Sequence, residues 1–188
     1  MSSQISTDTK VSELLTKVMP DLTKEALAKT GAANDFGGTE LSLMVEASGN
    51  TYGYILKDGK EVDVIEGAID NPMVLLKVSE DDIQKMIANQ ELDMLLSLTT
   101  DLTKTKYNCV KGLDGGFNAK LANTDGSSYD IVVLFNGAQA PKATIKMKTE
   151  DSTALMRKEV NPMNLFMSGG MQIEGDMAFA LAVQPLFS

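Results

Sequence analysis

The feature that most constrains the fold is an internal repeat. Moved forward by 69 residues without a gap, Pro72 falls on Pro141, Leu76 on Ile145, Lys77 on Lys146, Val78 on Met147, Asp82 on Asp151, Met86 on Leu155, Ile87 on Met156, Met94 on Met163 and Leu96 on Leu165. The punctuation aligns as well: a Pro-containing turn, a strand, an acidic helix start, a helix and a second helix. The later copy lacks one strand of the earlier. The earlier lacks the Gly-Gly-Met-Gln-Ile-Glu-Gly-Asp tail of the later. With 188 residues, 43% of them hydrophobic, the chain can bury a sizeable core.

Around the repeat the local signals change period. Val11, Leu14, Leu15 and Val18 recur at helical spacing. Pro20 is expected to end that helix and to open a second over residues 21–29, with Gly31 as its stop. From Glu40 the period becomes two: Leu41, Leu43 and Val45 share one face of a strand. A partner strand over 51–57 ends at Asp58-Gly59, a strong hairpin signal. Val62 and Val64 continue as a third strand and 74–78 as a fourth. Ser79 ahead of Glu80, Asp81 and Asp82 caps a helix that carries Ile83, Met86 and Ile87. A short helix with Leu92, Leu95 and Leu96 follows. Residues 117–122 and 129–135 form another hairpin around the turn 123–127. The expected division is a helical segment, 1–38, packing on an α+β body, 39–188, with quasi-repeats 40–99 and 107–184.

Composition removes several function classes. A net charge of -9 and a single Arg, Arg157, do not suit a nucleic-acid backbone. The acid excess lies entirely in residues 1–99, with 17 Asp plus Glu against 8 Lys, whereas residues 100–188 balance at 9 acidic and 9 basic. That first half reads as a solubilising face. The chain has no His, so neither a Ser-His-Asp arrangement nor a His-ligated metal site can form. Cys109 has no disulfide partner and reads as an inert thiol. Asp114-Gly115-Gly116 and Asn123-Thr124-Asp125-Gly126 lack the ligand spacing of a calcium loop and read as turns. No phosphate-binding Gly-rich loop occurs. Glu150 and Asp151, after Thr149, are helix-start residues rather than a catalytic pair. No cofactor, metal or catalytic residue is expected, and the protein is expected not to be an enzyme. With neither a signal-like N-terminus nor a spanning apolar run, it is expected to be cytoplasmic.

The richest stretch is 161–186. It holds Met163, Met167, Met171 and Met177, whose side chains re-pack around varied apolar partners. After Asp176 it becomes a helix apolar on nearly every side, which something must cover: the protein's own sheet, a ligand, or both.

These residues resemble the sterol carrier protein type two family of lipid-carrier domains. The resemblance rests on Lys57-Asp58-Gly59-Lys60-Glu61-Val62, on Asn71-Pro72 and its echo Ala140-Pro141, and on Asn161-Pro162, Leu165-Phe166, Gly170, Ile173, Gly175-Asp176 and the apolar helix through Leu181. It covers 40–96 and 117–184 loosely. It implies a mixed, mostly antiparallel sheet covered by helices, with an apolar tunnel for a fatty acid, acyl-CoA or sterol-like lipid. Carried over by position, Leu165, Phe166, Ile173, Met177, Phe179, Leu181 and Val183 would line that tunnel; each also reads as plain core. The expected partner is an apolar small molecule or lipid, with at most transient membrane contact. The alternative is an accessory or dimerisation module that docks its C-terminal helix on a partner protein or a second copy.

Overall fold

The computed structural model describes residues 5–187. Strands β1 (Glu40–Ala47), β2 (Asn50–Lys57), β3 (Glu61–Glu66), β4 (Val74–Val78), β5 (Gly115–Ala122), β6 (Ser128–Phe135), β7 (Ala143–Lys148) and β8 (Met171–Gly175) form one sheet. Its order is β3-β2-β1-β4-β6-β5-β7-β8. The β1–β4 and β5–β7 pairs are parallel, and the other neighbours are antiparallel. The fold is α+β with a mixed, mostly antiparallel sheet.

The repeat is visible in the topology. Hairpin β1–β2 with β4 parallel to β1 is one unit, and hairpin β5–β6 with β7 parallel to β5 is the other. The units meet at the antiparallel β4–β6 pair, so a single sheet runs through both. Strand β3 on one edge and β8 on the other have no counterpart in the opposite unit.

Alternation along the strands puts the core on one face. A row running Val45, Leu76, Val133, Phe117, Ala143 crosses five strands by direct pairing and is buried throughout. Helices cover this face: α1 (Val11–Glu13), α2 (Met19–Thr30), α3 (Glu80–Asn89), α4 (Asp93–Thr100), α5 (Lys104–Gly112), α6 (Thr149–Met156), α7 (Pro162–Met167) and α8 (Met177–Ala182).

Pro20 does not break the first helix, contrary to expectation. A π-helical stretch, Leu14–Val18, joins α1 to α2, and the Met19 N–H reaches the Leu14 carbonyl five residues back. In that pattern the residue facing the Leu15 carbonyl is Pro20, which has no N–H to give. The buried Tyr54 hydroxyl on β2 fills the place, donating to the Leu15 carbonyl at 2.5 Å. Burial pushes the Tyr54 phenol well above its usual range. Sheet and helix are thus tied at a position where the helix cannot satisfy itself.

The caps account for most other boundaries. Gly31 ends α2 in the left-handed conformation. The Asp58-Gly59 turn has φ of 56° and 65°, and Asp58 Oδ1 accepts from the Gly38 N–H at 2.7 Å. A Cβ on Gly59 would lie 2.7 Å from the Ala32 carbonyl oxygen, so the hairpin and the loop after α2 require Gly there. Ser79 Oγ accepts from the Asp82 N–H at 3.1 Å, as its acidic sequel implies. Thr149 does not cap α6; its hydroxyl donates to Asn123 Oδ1 instead. Helix α5 was not among the expectations. Thr103 Oγ1 caps it by accepting from the Lys106 N–H at 3.2 Å, but its inner side is only Lys106, Tyr107 and Val110, too few apolar residues to mark a stripe.

Candidate functional site

The later unit carries an apolar groove of about 70 Å³ between α7, α8 and strands β7 and β8. Each wall has a local cause. Asn161 Oδ1 accepts from the Met163 and Asn164 N–H groups at 2.8 and 3.4 Å, and Pro162 pre-sets the first turn of α7. At the other end the Gly170 N–H returns to the Leu165 carbonyl at 2.9 Å and turns the chain into β8. Ile145 on β7 pairs with Ile173 on β8, and both line the groove. Gly175 ends β8 at φ 94°, where a Cβ would sit 2.5 Å from the Lys142 carbonyl oxygen. Asp176 then caps α8 by accepting from the Phe179 N–H at 3.0 Å.

The seven residues carried over from the resemblance divide by position. Phe166, Ile173, Met177 and Leu181 line the groove. Leu165, Phe179 and Val183 are buried in the main core instead. Phe179 also receives the Lys142 ammonium 5.9 Å from its ring centre, a cation–π contact. The lining further includes Pro162, Met163 and Met171. The two methionines were visible in the sequence as adaptable apolar surface, but their opposition across the groove depends on α7 folding back against β8.

The lining contains no ionisable side chain; its polar member is Gln184. The Lys146–Glu174 pair, 2.8 Å, lies on the side chains that alternate away from the groove, and Lys146 holds the Glu174 carboxyl below the usual carboxylate range. Cys109 donates its thiol to the Ala182 carbonyl at 3.4 Å, and burial pushes its pKa up, the opposite of thiolate activation. The turn at Asn123–Ser127 uses Asp125 internally: Oδ1 takes the Ser127 N–H at 2.9 Å and Oδ2 the Lys85 ammonium at 2.7 Å. Among the described residues no cluster of three Cys, Asp or Glu side chains could hold a metal ion, and no helix is long and apolar enough to cross a membrane. The groove is equipped to surround apolar groups, and it holds no group that would transfer a proton.

The model of the SCP-2 sterol transfer family matches residues 104–188. No curated protein matches the chain. Among solved structures, the sterol carrier protein domain 2 of Helicoverpa armigera is similar at 22% identity, over 54% of this chain and 84% of that one, with a TM-score of 0.40. The sterol carrier protein 2 like 2 of Aedes aegypti is similar at 19% identity, over 47% and 96%, with a TM-score of 0.32. Sterol carrier protein 2 of Yarrowia lipolytica, in its apo form, is similar at 20% identity, over 44% and 79%, with a TM-score of 0.33. The stretch 40–96, which also entered the resemblance, lies outside the family match, and every residue lining the groove lies inside it. Over residues 104–188, the part that holds the groove, this chain is thus similar to the SCP-2 sterol transfer family.

Proposed function

We propose that the protein binds and carries an apolar ligand, such as a fatty acid, acyl-CoA or sterol-like lipid, without chemical conversion, in the groove between α7, β8 and α8. The observation that carries this reading is the clustering of exposed apolar side chains. Met163, Phe166, Met167, Met177 and Leu181 are all exposed, and all but Met167 line the groove. Scattered exposed hydrophobics need no explanation, but a contiguous group around an apolar cleft does.

Ligand pockets usually enclose roughly 300–1,000 Å³, so a cleft of about 70 Å³ must widen to take a long chain. Helix α8 is the element that can move. It is six residues long, held by Asp176 at its start and by Phe179 and Ala180 on its inner side. Its outward displacement would join the groove to the space beneath Phe179, bringing the core members of the carried-over set into contact with the ligand. Each buried methylene would contribute roughly 0.8 kcal/mol, which favours long chains without polar recognition. The exposure of Met167, at 77%, also favours a second reading, in which this surface docks on a partner protein or a second copy.

Native mass spectrometry of gently purified protein, followed by organic extraction, separates the two. A lipid at one per chain, displaced by added fatty acid and lost in Leu181→Asp, is the expected result. An empty protein that takes up neither fatty acid nor acyl-CoA and dimerises with concentration would replace the carrier reading with the docking one.

A further inference from the structure

A second cavity is larger than the groove. It is a cleft of about 430 Å³ in the helical layer between α2, α4 and the end of α6, and it shares no lining residue with the groove. Its volume already lies within the range of small-molecule pockets. We propose that this cleft is a second binding site, for a neutral amphiphile with an apolar chain and a hydrogen-bond-donating head such as a primary alcohol.

Its lining has two chemistries. Leu22, Ala26, Leu92, Leu96 and Met156 supply apolar surface. The charged groups around them are already matched: Arg157 lies against Asp93 at 3.0 Å, Lys29 against Glu25 at 3.1 Å, and Asp101 against Lys106 and Lys158 at 2.8 and 3.2 Å. A charged ligand would compete with one of these pairs. An anionic ligand meets the further obstacle that three carboxylates, of Glu25, Asp93 and Asp101, line the cleft against two cations, Lys29 and Arg157.

The hydroxyls decide the head group. Ser97 and Thr100 line the cleft, and each gives its proton to α4, Ser97 to the Met94 carbonyl at 3.5 Å and Thr100 to the Leu96 carbonyl at 2.9 Å. While these bonds are kept, and the Thr100 bond is the firmer, what is left for a ligand is lone pairs, which suit a donor O–H better than a carboxylate. The repeat sharpens the contrast. Under the 69-residue shift Asp93 falls on Pro162 and Ser97 on Phe166. All four line a cavity, so these two equivalent positions, one helical turn apart, are polar in the earlier unit and apolar in the later.

The methionines make the proposal testable in the intact 188-residue chain, because Met156 lines the cleft while Met163, Met171 and Met177 line the groove. Spectra of protein carrying ¹³C-methyl methionine would be recorded during titration with 1-decanol and, separately, with decanoate. The expected result is saturable movement of the Met156 methyl signal by decanol and little by decanoate. Ala26→Phe, which fills the cleft from α2, should weaken that response at least about tenfold while leaving the groove methyls in place as a check on folding. The Ser97→Ala, Thr100→Val double variant should erase the preference for alcohol over acid. A Met156 signal that stays fixed with decanol, moves equally with decanoate, or is unaffected by Ala26→Phe would overturn the proposal. The groove reading is judged separately, by Met163 and Met177.

Discussion

In the first unit, Leu14, Leu15 and Met19 are fully buried beneath a helical run that continues from Val11 to Thr30 and is pinned to the sheet through Tyr54. In the second unit α8 lies over β5, β7 and β8 and is followed by the 3₁₀ turn Gln184–Phe187, with Met177 and Leu181 left exposed. The strand units beneath are alike in pairing and direction. The comparison teaches that one sheet can carry two kinds of cover: a long, anchored one whose apolar side chains are sealed, and a short one that leaves apolar side chains exposed.

The contrast can be broken by substitution. Leu15→Ala in the sealed cover should cost about 2–5 kcal/mol, read from urea unfolding of the full chain; a cost as small as that of a surface change would mean the first cover is as loose as the second. Tyr54→Phe keeps the ring and removes the hydroxyl that meets the Leu15 carbonyl, so about 1–3 kcal/mol should be lost by the same measurement. Lys85→Met tests the contact between units. Lys85 and Ser127 hold the Asp125 carboxyl well below the usual carboxylate range. A depressed folded value favours the fold above the unfolded Asp value of about 3.9, and that contribution is lost as pH falls towards the folded value. Asp125 is fully exposed, so the effect is a small one: the acid limb of the stability profile should become less steep in Lys85→Met, and an unchanged limb would remove this pair from the seam. Smallest of all, Leu181→Ser should change stability by less than about 0.5 kcal/mol while weakening apolar ligand uptake. A large stability loss there would show that α8 is core and not cover.

Much of the fold was legible because its signals are local. The Asp58-Gly59 turn, the Ser79 cap and the alternation from Leu41 to Val45 each state their structure within a few residues. Pro20 misled for the same reason: nothing near it in sequence reveals that a tyrosine 34 residues later completes the helix. Helix α5 was hidden because most of its contacts come from elsewhere, such as the Phe36 ring set edge-on to Tyr107 at 5.8 Å. Of the candidate site, the stretch was legible and the direction of each side chain was not. Phe179 and Leu181 are two residues apart on one short helix, and only packing sends the first inward and leaves the second exposed. The helical cleft gave no sequence signal, since its walls come from three helices whose approach is a tertiary fact.

The β4–β6 pairing bears on how this chain could be divided. Val74 to Lys77 lie directly across from Phe135 to Val132, joining the two units by a hydrogen-bonded ladder rather than a linker. A fragment beginning at residue 104, where the family match starts, would keep β5, β7 and β8 but strip β6 of its outer neighbour. The run Val132–Phe135 would then present unpaired backbone groups and apolar side chains along a new edge, a template for association with other copies. The start of the family match therefore cuts through one continuous sheet, and a shortened chain would have to keep β4 or redesign the edge it covers.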